Sequence, residues 1–559
     1  MWSLWQFVAN LHGPTAVVLV AAALLGYTVL TQQRLPTALR MLPRPASTLP
    51  LLGNALDLLV AHRTRIHDWL LDECLRFEGR PWLLASLGGD PSIVLTQESH
   101  FEDVLKTHFD AFEKGPKIRD LGGDFFGNNG IFVADGAAWR HQRKVASHLF
   151  SHHMMRECMA KAIAEDTRVV LQKLATAQAT GAKIELKLLM DALTTDVFTK
   201  IGFGVRLGCL DDFEIDHQKA SPSCSGSQSD NAFDGAFQRA FSRCPMVIQA
   251  RSQQPAFLWK LKRWLQIGDE RQLTQDMKRI NGAIFKVIQD SIARSRSGDS
   301  TAEMNLISLF LAKANETSPD NVDGEEEKEQ TTPEMIRDTA LNFIAAGRGT
   351  TGQSLAWCVI MLSRYPAVYD KVLEELQREL PRLFDPSDDY VPSMEDAASL
   401  TYLEAVIKES LRLNPAAPLT SRVAIEDTVL SDGTFVPKGV RVVFPTYAAA
   451  RMPWLWGEDA AAFRPDRWID ETTGKLRQVS PCKFLVFHGG PRICLGVKLA
   501  MLEMKIALAA MLSQFEFVLD KDPFEITYDM SLSLPIRGEL LASVHPVRAV
   551  GTVPLAVVA

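Results

Sequence analysis

No two cysteines stand as a C-x-x-C pair, and the eight in the chain are scattered. This indicates neither a zinc site nor a disulfide framework, and scattered thiols in a long chain suit a reducing compartment. Basic charge is not in excess: the formal net charge is -7. Without a whole-chain basic field, no nucleic-acid partner is expected. No internal repeat is present. The first 33 residues contain no Asp, Glu, Lys or Arg at all.

What is there is globular. The 559 residues are 47% hydrophobic and 23% charged, which allows one large domain or two to three ordinary ones. The charge-free start carries "PTAVVLVAAALLGYTVL". A membrane span needs about 20 apolar residues, a length this run reaches with its flanks. Arg34, Arg40 and Arg44 follow at once, and the positive-inside rule keeps them and the remaining chain in the cytosol. A cleaved signal peptide carries its positive charge before the apolar run, not after it. Residues 1–33 are therefore expected to be a membrane anchor. Pro36, Pro43, Pro45 and Pro50 stiffen a linker over 34–54, and 55–559 form the main domain.

Within that domain "RPWLLASLGGDPSIVLTQ" predicts two short strands around a turn. Helical patterns dominate from about Glu98, and "FEFVLDKDPFEITYDMSLSLPIRGELLASV" predicts strand pairs near the end. The polar stretches 217–231 and 315–330 read as solvated loops. The fold class is mostly α with a smaller β part.

The longest helical pattern starts at Pro333, with Thr331 and Glu334 as a capping box, and stops before Pro366. Continuous, its 32 or so residues span roughly 48 Å. Inside it lies "AAGRGTTG" (345–352). Gly347, Gly349 and Gly352 fit G-x-G-x-x-G, but a dinucleotide turn must join a strand to a helix, and no strand precedes this one. Three glycines and two threonines should instead weaken or open the helix. Close packing against another backbone, or a groove in which a ligand touches the helix, both account for them.

Further on stands "FHGGPRICLGVKLAMLEMK" (487–505). Cys494 sits in a Gly/Pro loop just before a helix, where free N–H groups and the helix dipole favour a thiolate. The glycines let backbone approach a flat ligand, and Arg492 is able to pair with its carboxylate. A thiolate donor, close backbone and an anion partner describe an axial haem ligand. Phe487, Gly490, Arg492, Cys494 and Gly496 follow F-x-x-G-x-R-x-C-x-G, which resembles the haem-binding loop of the cytochrome P450 family. Glu409 and Arg412 in "ESLR", with Arg467 in "FRPDRW", stand in the family's order. The resemblance covers about residues 45–545. It implies the cytochrome P450 fold behind a transmembrane helix, with haem b as cofactor and Cys494 as its iron ligand.

The same resemblance makes Glu409, Arg412 and Arg467 a buried ionic network, and it sets Trp139, Arg143 and Arg422 on haem propionates. It aligns Ala346–Thr351 with the oxygen-activation motif [AG]-G-x-[DE]-[TS]-[TS]. The helix is then expected to open over haem at Gly347, with Thr350, beside Thr351, orienting O2 and a water. The motif's acid is missing, because Gly349 stands in its place. Arg348 stays protonated and relays nothing. Water in the space left by glycine is the expected substitute, and Gly349→Asp is expected to improve the coupling of NADPH use to product.

Several stretches, among them "NNGIFVADGAAWRHQRKVASHLFS" and "FLWKLKRWLQIG", resemble the family's long-chain fatty-acid ω-hydroxylases. That implies an apolar lipid substrate, with Phe125, Phe126, Leu419, Leu532 and Leu534 in the substrate-contact regions. It also implies O2, an NADPH-dependent flavoprotein reductase attracted to Arg140, Arg143, Lys144, Lys483 and Lys498, and a monomer in the endoplasmic reticulum membrane facing the cytosol. Two alternatives stay open. One is a haem-thiolate isomerase or dehydratase of lipid hydroperoxides, which needs no external protons, and the other is a non-catalytic haem-binding paralogue.

Overall fold

A computed structural model describes residues 37–49, 52–85, 91–215, 235–254, 256–296, 308–309, 333–385 and 387–549. The expected anchor, the two polar stretches and Thr331 of the capping box lie outside the described residues. Among the described residues no helix is long and apolar enough to cross a membrane.

Helices make up most of the structure. Ala160–Thr180, Leu186–Phe203, Thr350–Arg364 and Val497–Leu512 pack around one large apolar core. A second core lies under the main sheet. That sheet has five strands in the order Trp82–Leu84, Ser92–Val94, Arg441–Phe444, Thr420–Ala424 and Phe112–Glu113. The two strands expected from "RPWLLASLGGDPSIVLTQ" pair antiparallel, Trp82 opposite Val94. Near the C-terminus, Phe515–Leu519 pairs with Leu541–Pro546, and Ile184–Glu185 joins them to close a three-stranded sheet.

The long helical pattern is split into Pro333–Gly347 and Thr350–Arg364. Gly349 has φ 85°, a left-handed conformation that other residues adopt only with strain. The second half ends where expected, since Pro366 opens the next helix at its first turn. Gly347 and Gly352 serve packing. A Cβ on Gly347 would run into the Phe198 ring, and one on Gly352 would sit 2.8 Å from Asp191 Oδ1. Both face the Leu186–Phe203 helix, so the break belongs to Gly349 and not to Gly347, the position first expected to open the helix.

One buried pair within the helical core is poorly solvated. Glu503 Oε1 on Val497–Leu512 and Asp166 Oδ2 on Ala160–Thr180 have no hydrogen-bond partner among the described residues. Burial, reinforced by the charge of Asp166, pushes Glu503 up to about 8. A carboxyl whose folded pKa is raised contributes stability that is present below its unfolded value and lost as pH rises through the folded one. Glu503→Gln is therefore expected to gain on wild type in thermal denaturation as pH rises from about 5 to about 8. An offset that stays constant across that range would contradict this reading.

Candidate active site

Cys494 lies between a single 3-10 turn, Gly490–Arg492, and the Val497–Leu512 helix. Its N–H donates to Phe487 O at 2.8 Å, which closes the loop back on its first motif residue. Gly490 is obligatory, because a Cβ there would collide with the Leu105 carbonyl. The Cys494 side chain is surrounded by protein yet keeps accessible surface. Burial pushes the thiol up, while the Gly496 N–H and the Arg143 charge pull it back toward thiolate. Phe150, 4.0 Å from where a Cβ on Gly496 would stand, stacks on Phe343 with ring centroids 6.5 Å apart. This aromatic pair ties the cysteine loop to the first half of the split helix.

Beside the loop is a cluster of buried cations. Arg492 donates to Asp135 Oδ1 at 2.7 Å and to Ala134 O at 3.0 Å, and its guanidinium lies 4.3 Å from the centre of the Trp139 ring. Arg143 sits over the same ring at 5.8 Å. The main sheet supplies the rest: Glu113 is paired with Val423, which sets Lys114 beside Arg422. Burial, and then the charges of Arg422 and Arg492, hold Lys114 well below its ordinary value. Burial and Arg492 lower Arg422. Asp135 answers only part of this charge, and it also accepts the N–H groups of Lys114 at 2.9 Å and Gly115 at 3.2 Å.

Two details show that this cluster suits an acidic ligand. Arg492 Nε is buried with no hydrogen-bond partner among the described residues. At His488, Arg422 Nη2 comes within 2.8 Å of Nε2 while the Gly489 N–H lies 2.7 Å from Nδ1. A neutral imidazole has only one accepting nitrogen, so one of these donors needs another acceptor. His488 holds this place at φ 63°, ψ -175°, a backbone region used almost only by glycine. The donor set, a sulfur flanked by cations short of carboxylates, fits haem with its two acid groups. Lys114, Asp135 and His488 escaped the sequence reading. His488, the one bulky residue before two glycines of the loop, carried a signal, whereas Lys114 and Asp135 carried none.

The expected ionic network is complete. Arg412 makes a two-point pair with Glu409 at 2.8 and 2.9 Å. Arg467 Nε and Trp468 Nε1 reach the same carboxylate at 2.8 and 2.9 Å. The remaining Arg412 donors go to the carbonyls of Ala450, Ala460 and Ala462. Burial alone would raise Glu409, but its bonds to Arg412 and the charge of Arg467 hold it below its ordinary value.

At the split helix, Thr350 Oγ1 donates to Ala346 O at 2.6 Å, which ties the hydroxyl across the break. Its lone pairs remain able to accept. Thr351 is buried beside it. Phe125 is buried and meets Phe126 and Phe241 edge-on at 5.0 and 4.9 Å. Arg348 lies over Phe241 at 5.4 Å, so this aromatic group adjoins the split helix. Leu534 is buried and its carbonyl accepts from Trp357 Nε1 at 3.1 Å. Leu532 is half-buried, and Leu419 is exposed.

A sulfur donor in a tight loop, next to cations in need of carboxylates, defines a haem-thiolate protein. The family model described as Cytochrome P450 matches residues 43–541, and the chain belongs to that family of monooxygenases, which carry haem on a cysteine thiolate. It is 32% identical to Cytochrome P450 86B1 of Arabidopsis thaliana over 84% of this chain and 80% of that protein. Likewise it is 32% identical to Cytochrome P450 CYP94D108 of Paris polyphylla over 88% and 91%. To Cytochrome P450 704C1 of Pinus taeda it is 29% identical over 88% and 90%.

Proposed function

We propose that this chain hydroxylates the ω or near-ω carbon of long-chain fatty acids, using O2 and electrons from an NADPH-dependent flavoprotein reductase. The observation that carries the reading is the aromatic group Phe125, Phe126 and Phe241 beside the split helix, an apolar wall suited to an alkyl chain. The resemblance to the ω-hydroxylase branch supplies the regiochemistry.

In this reading Cys494 would hold the haem iron through its thiolate, and Phe487, Gly490 and Gly496 shape its loop. Arg492, Arg422, Trp139 and Arg143, joined by Lys114, hold the acid groups of haem. Haem, when bound, supplies the oxygen and electron chemistry. The chain's own residues exclude water around the alkyl chain, and Thr350 holds a proton at Oγ1 on the oxygen side. Residues 1–33 anchor the protein in the endoplasmic reticulum membrane, residues 34–54 link it, and the monomeric domain 55–559 faces the cytosol. The helix Ala256–Leu265 supports membrane contact, because Phe257 is 72% and Trp264 77% exposed. A depression of about 580 Å3 lined by Arg140, Arg143, Lys144, Pro491 and Leu495 suits an acidic reductase next to the cysteine loop.

Full-length protein with reductase and NADPH is expected to convert lauric, palmitic or oleic acid to terminally hydroxylated products. No hydroxylated product from any of the three would overturn the reading. The absence of an acid at Gly349 favours a second one, rearrangement of lipid hydroperoxides. Turnover of a fatty-acid hydroperoxide without NADPH, and none of the free acids with it, would decide for that alternative.

A further inference from the structure

The missing acid has a neighbour in space. Among the described residues, a Cβ on Gly349 would meet only Gln353 Nε2 at 3.7 Å and Asp191 Oδ1 at 3.9 Å. Asp191 belongs to the Leu186–Phe203 helix, which packs on both halves of the split helix. Three buried polar atoms of this neighbourhood lack hydrogen-bond partners among the described residues: Asp191 Oδ1, Gln353 Oε1 and Arg348 Nε. Orphaned buried groups are costly, and a roomy polar gap among several of them is where ordered water is held. Glycine at 349 leaves that gap open.

We propose that Asp191 is the acid of the proton relay, acting through water in the space beside Gly349. It is a positioning and relay residue that reaches the reacting atoms only through that water and Thr350. One turnover takes up O2, two electrons from the reductase and two protons, and releases the hydroxylated product and one water. Each proton leaves the Asp191 carboxyl for the water, which passes one of its own to Thr350 Oγ1. The hydroxyl then turns its original proton away from Ala346 O and gives it up toward the oxygen side, and Asp191 is reprotonated from bulk solvent. Burial pushes Asp191 up to about 6, Arg348 and Lys187 work against that shift, and Glu185 adds to it. A carboxyl near 6 gives and regains a proton readily at neutral pH, as a general acid must.

The proposal rests on the monooxygenase reading, and the tests separate the two. Asp191→Asn is expected to lower product per NADPH by about tenfold or more, with hydrogen peroxide making up the difference. It is expected to remove a pH-rate limb near 6 while keeping the thiolate spectrum of the reduced protein with carbon monoxide. Hydroxylation driven by iodosobenzene, a single-oxygen donor that needs no protons, should be unchanged. Asp191→Glu should retain part of the coupling. Gly349→Asp brings a second carboxyl against the first, in a backbone conformation strained for any side chain, and gives no gain, contrary to the expectation from sequence.

A readout independent of turnover is the infrared carboxyl band of the resting holoenzyme. In the wild type minus Asp191→Asn difference spectrum a band titrating near pH 6 should appear, which sets Asp191 apart from Asp166, a buried carboxyl also pushed up to about 6. Unchanged coupling in Asp191→Asn, equal loss with iodosobenzene, or absence of the band would each overturn the relay. Failure of wild type to hydroxylate any lipid, with the band present, would instead overturn the functional reading.

Discussion

Cys494→Ala is expected to abolish the thiolate signature of the reduced protein with carbon monoxide, moving its main band to shorter wavelength. Hydroxylation should fall by at least about a thousandfold, the scale of losing a group that takes part directly in the chemistry. The fold should survive. The loop is held by the Cys494 N–H bond to Phe487 O and by Gly490 against Leu105, neither of which uses the sulfur. Circular dichroism and the melting temperature of the apoprotein therefore separate loss of the ligand from loss of structure. A variant that kept the thiolate-type spectrum would mean that another residue ligates iron.

Glu409→Gln should be the most damaging single change away from haem. The carboxylate accepts from Arg412, Arg467, Trp468 and the Arg464 N–H, and Glu409 and Arg412 are fully buried. Removing one partner of such a pair leaves an uncompensated charge and costs about 3–5 kcal/mol. The expected result is a large drop in urea midpoint and poor retention of haem. The control is Asp72→Asn. It breaks the Arg65–Asp72 pair, whose side chains are 47% and 50% exposed, and should cost less than about 1 kcal/mol. Because Glu409 is held below its ordinary value, the stability it contributes is present at neutral pH and lost as the solution is acidified through the carboxylate range. Near-equal losses in Glu409→Gln and Asp72→Asn would show that the network does not carry the core.

The sequence alone determined the features that are local. The spacing around Cys494 and the i,i+3 pair Glu409 and Arg412 are written in short segments, because loop shape and helix face follow from neighbouring residues. The break in the long helix was legible for the same reason, since glycine and threonine weaken a helix wherever they occur. Whether those glycines served packing or a ligand was not legible. The structure divides them: Gly347 and Gly352 admit the Leu186–Phe203 helix, and Gly349 makes the break.

Only the tertiary structure decided the partners. Strand pairing brings Lys114 beside Arg422, and Asp135 gathers Arg492 and the Lys114 backbone. Helix packing sets Asp191 against Gly349. These residues lie far apart in the chain and follow no period that a sequence reveals. Their meeting is fixed by which apolar faces bury one another, and burial then leaves their charges dependent on the few groups within reach. At Gly349 the sequence records the loss of an acid, and the packed helices supply one from elsewhere.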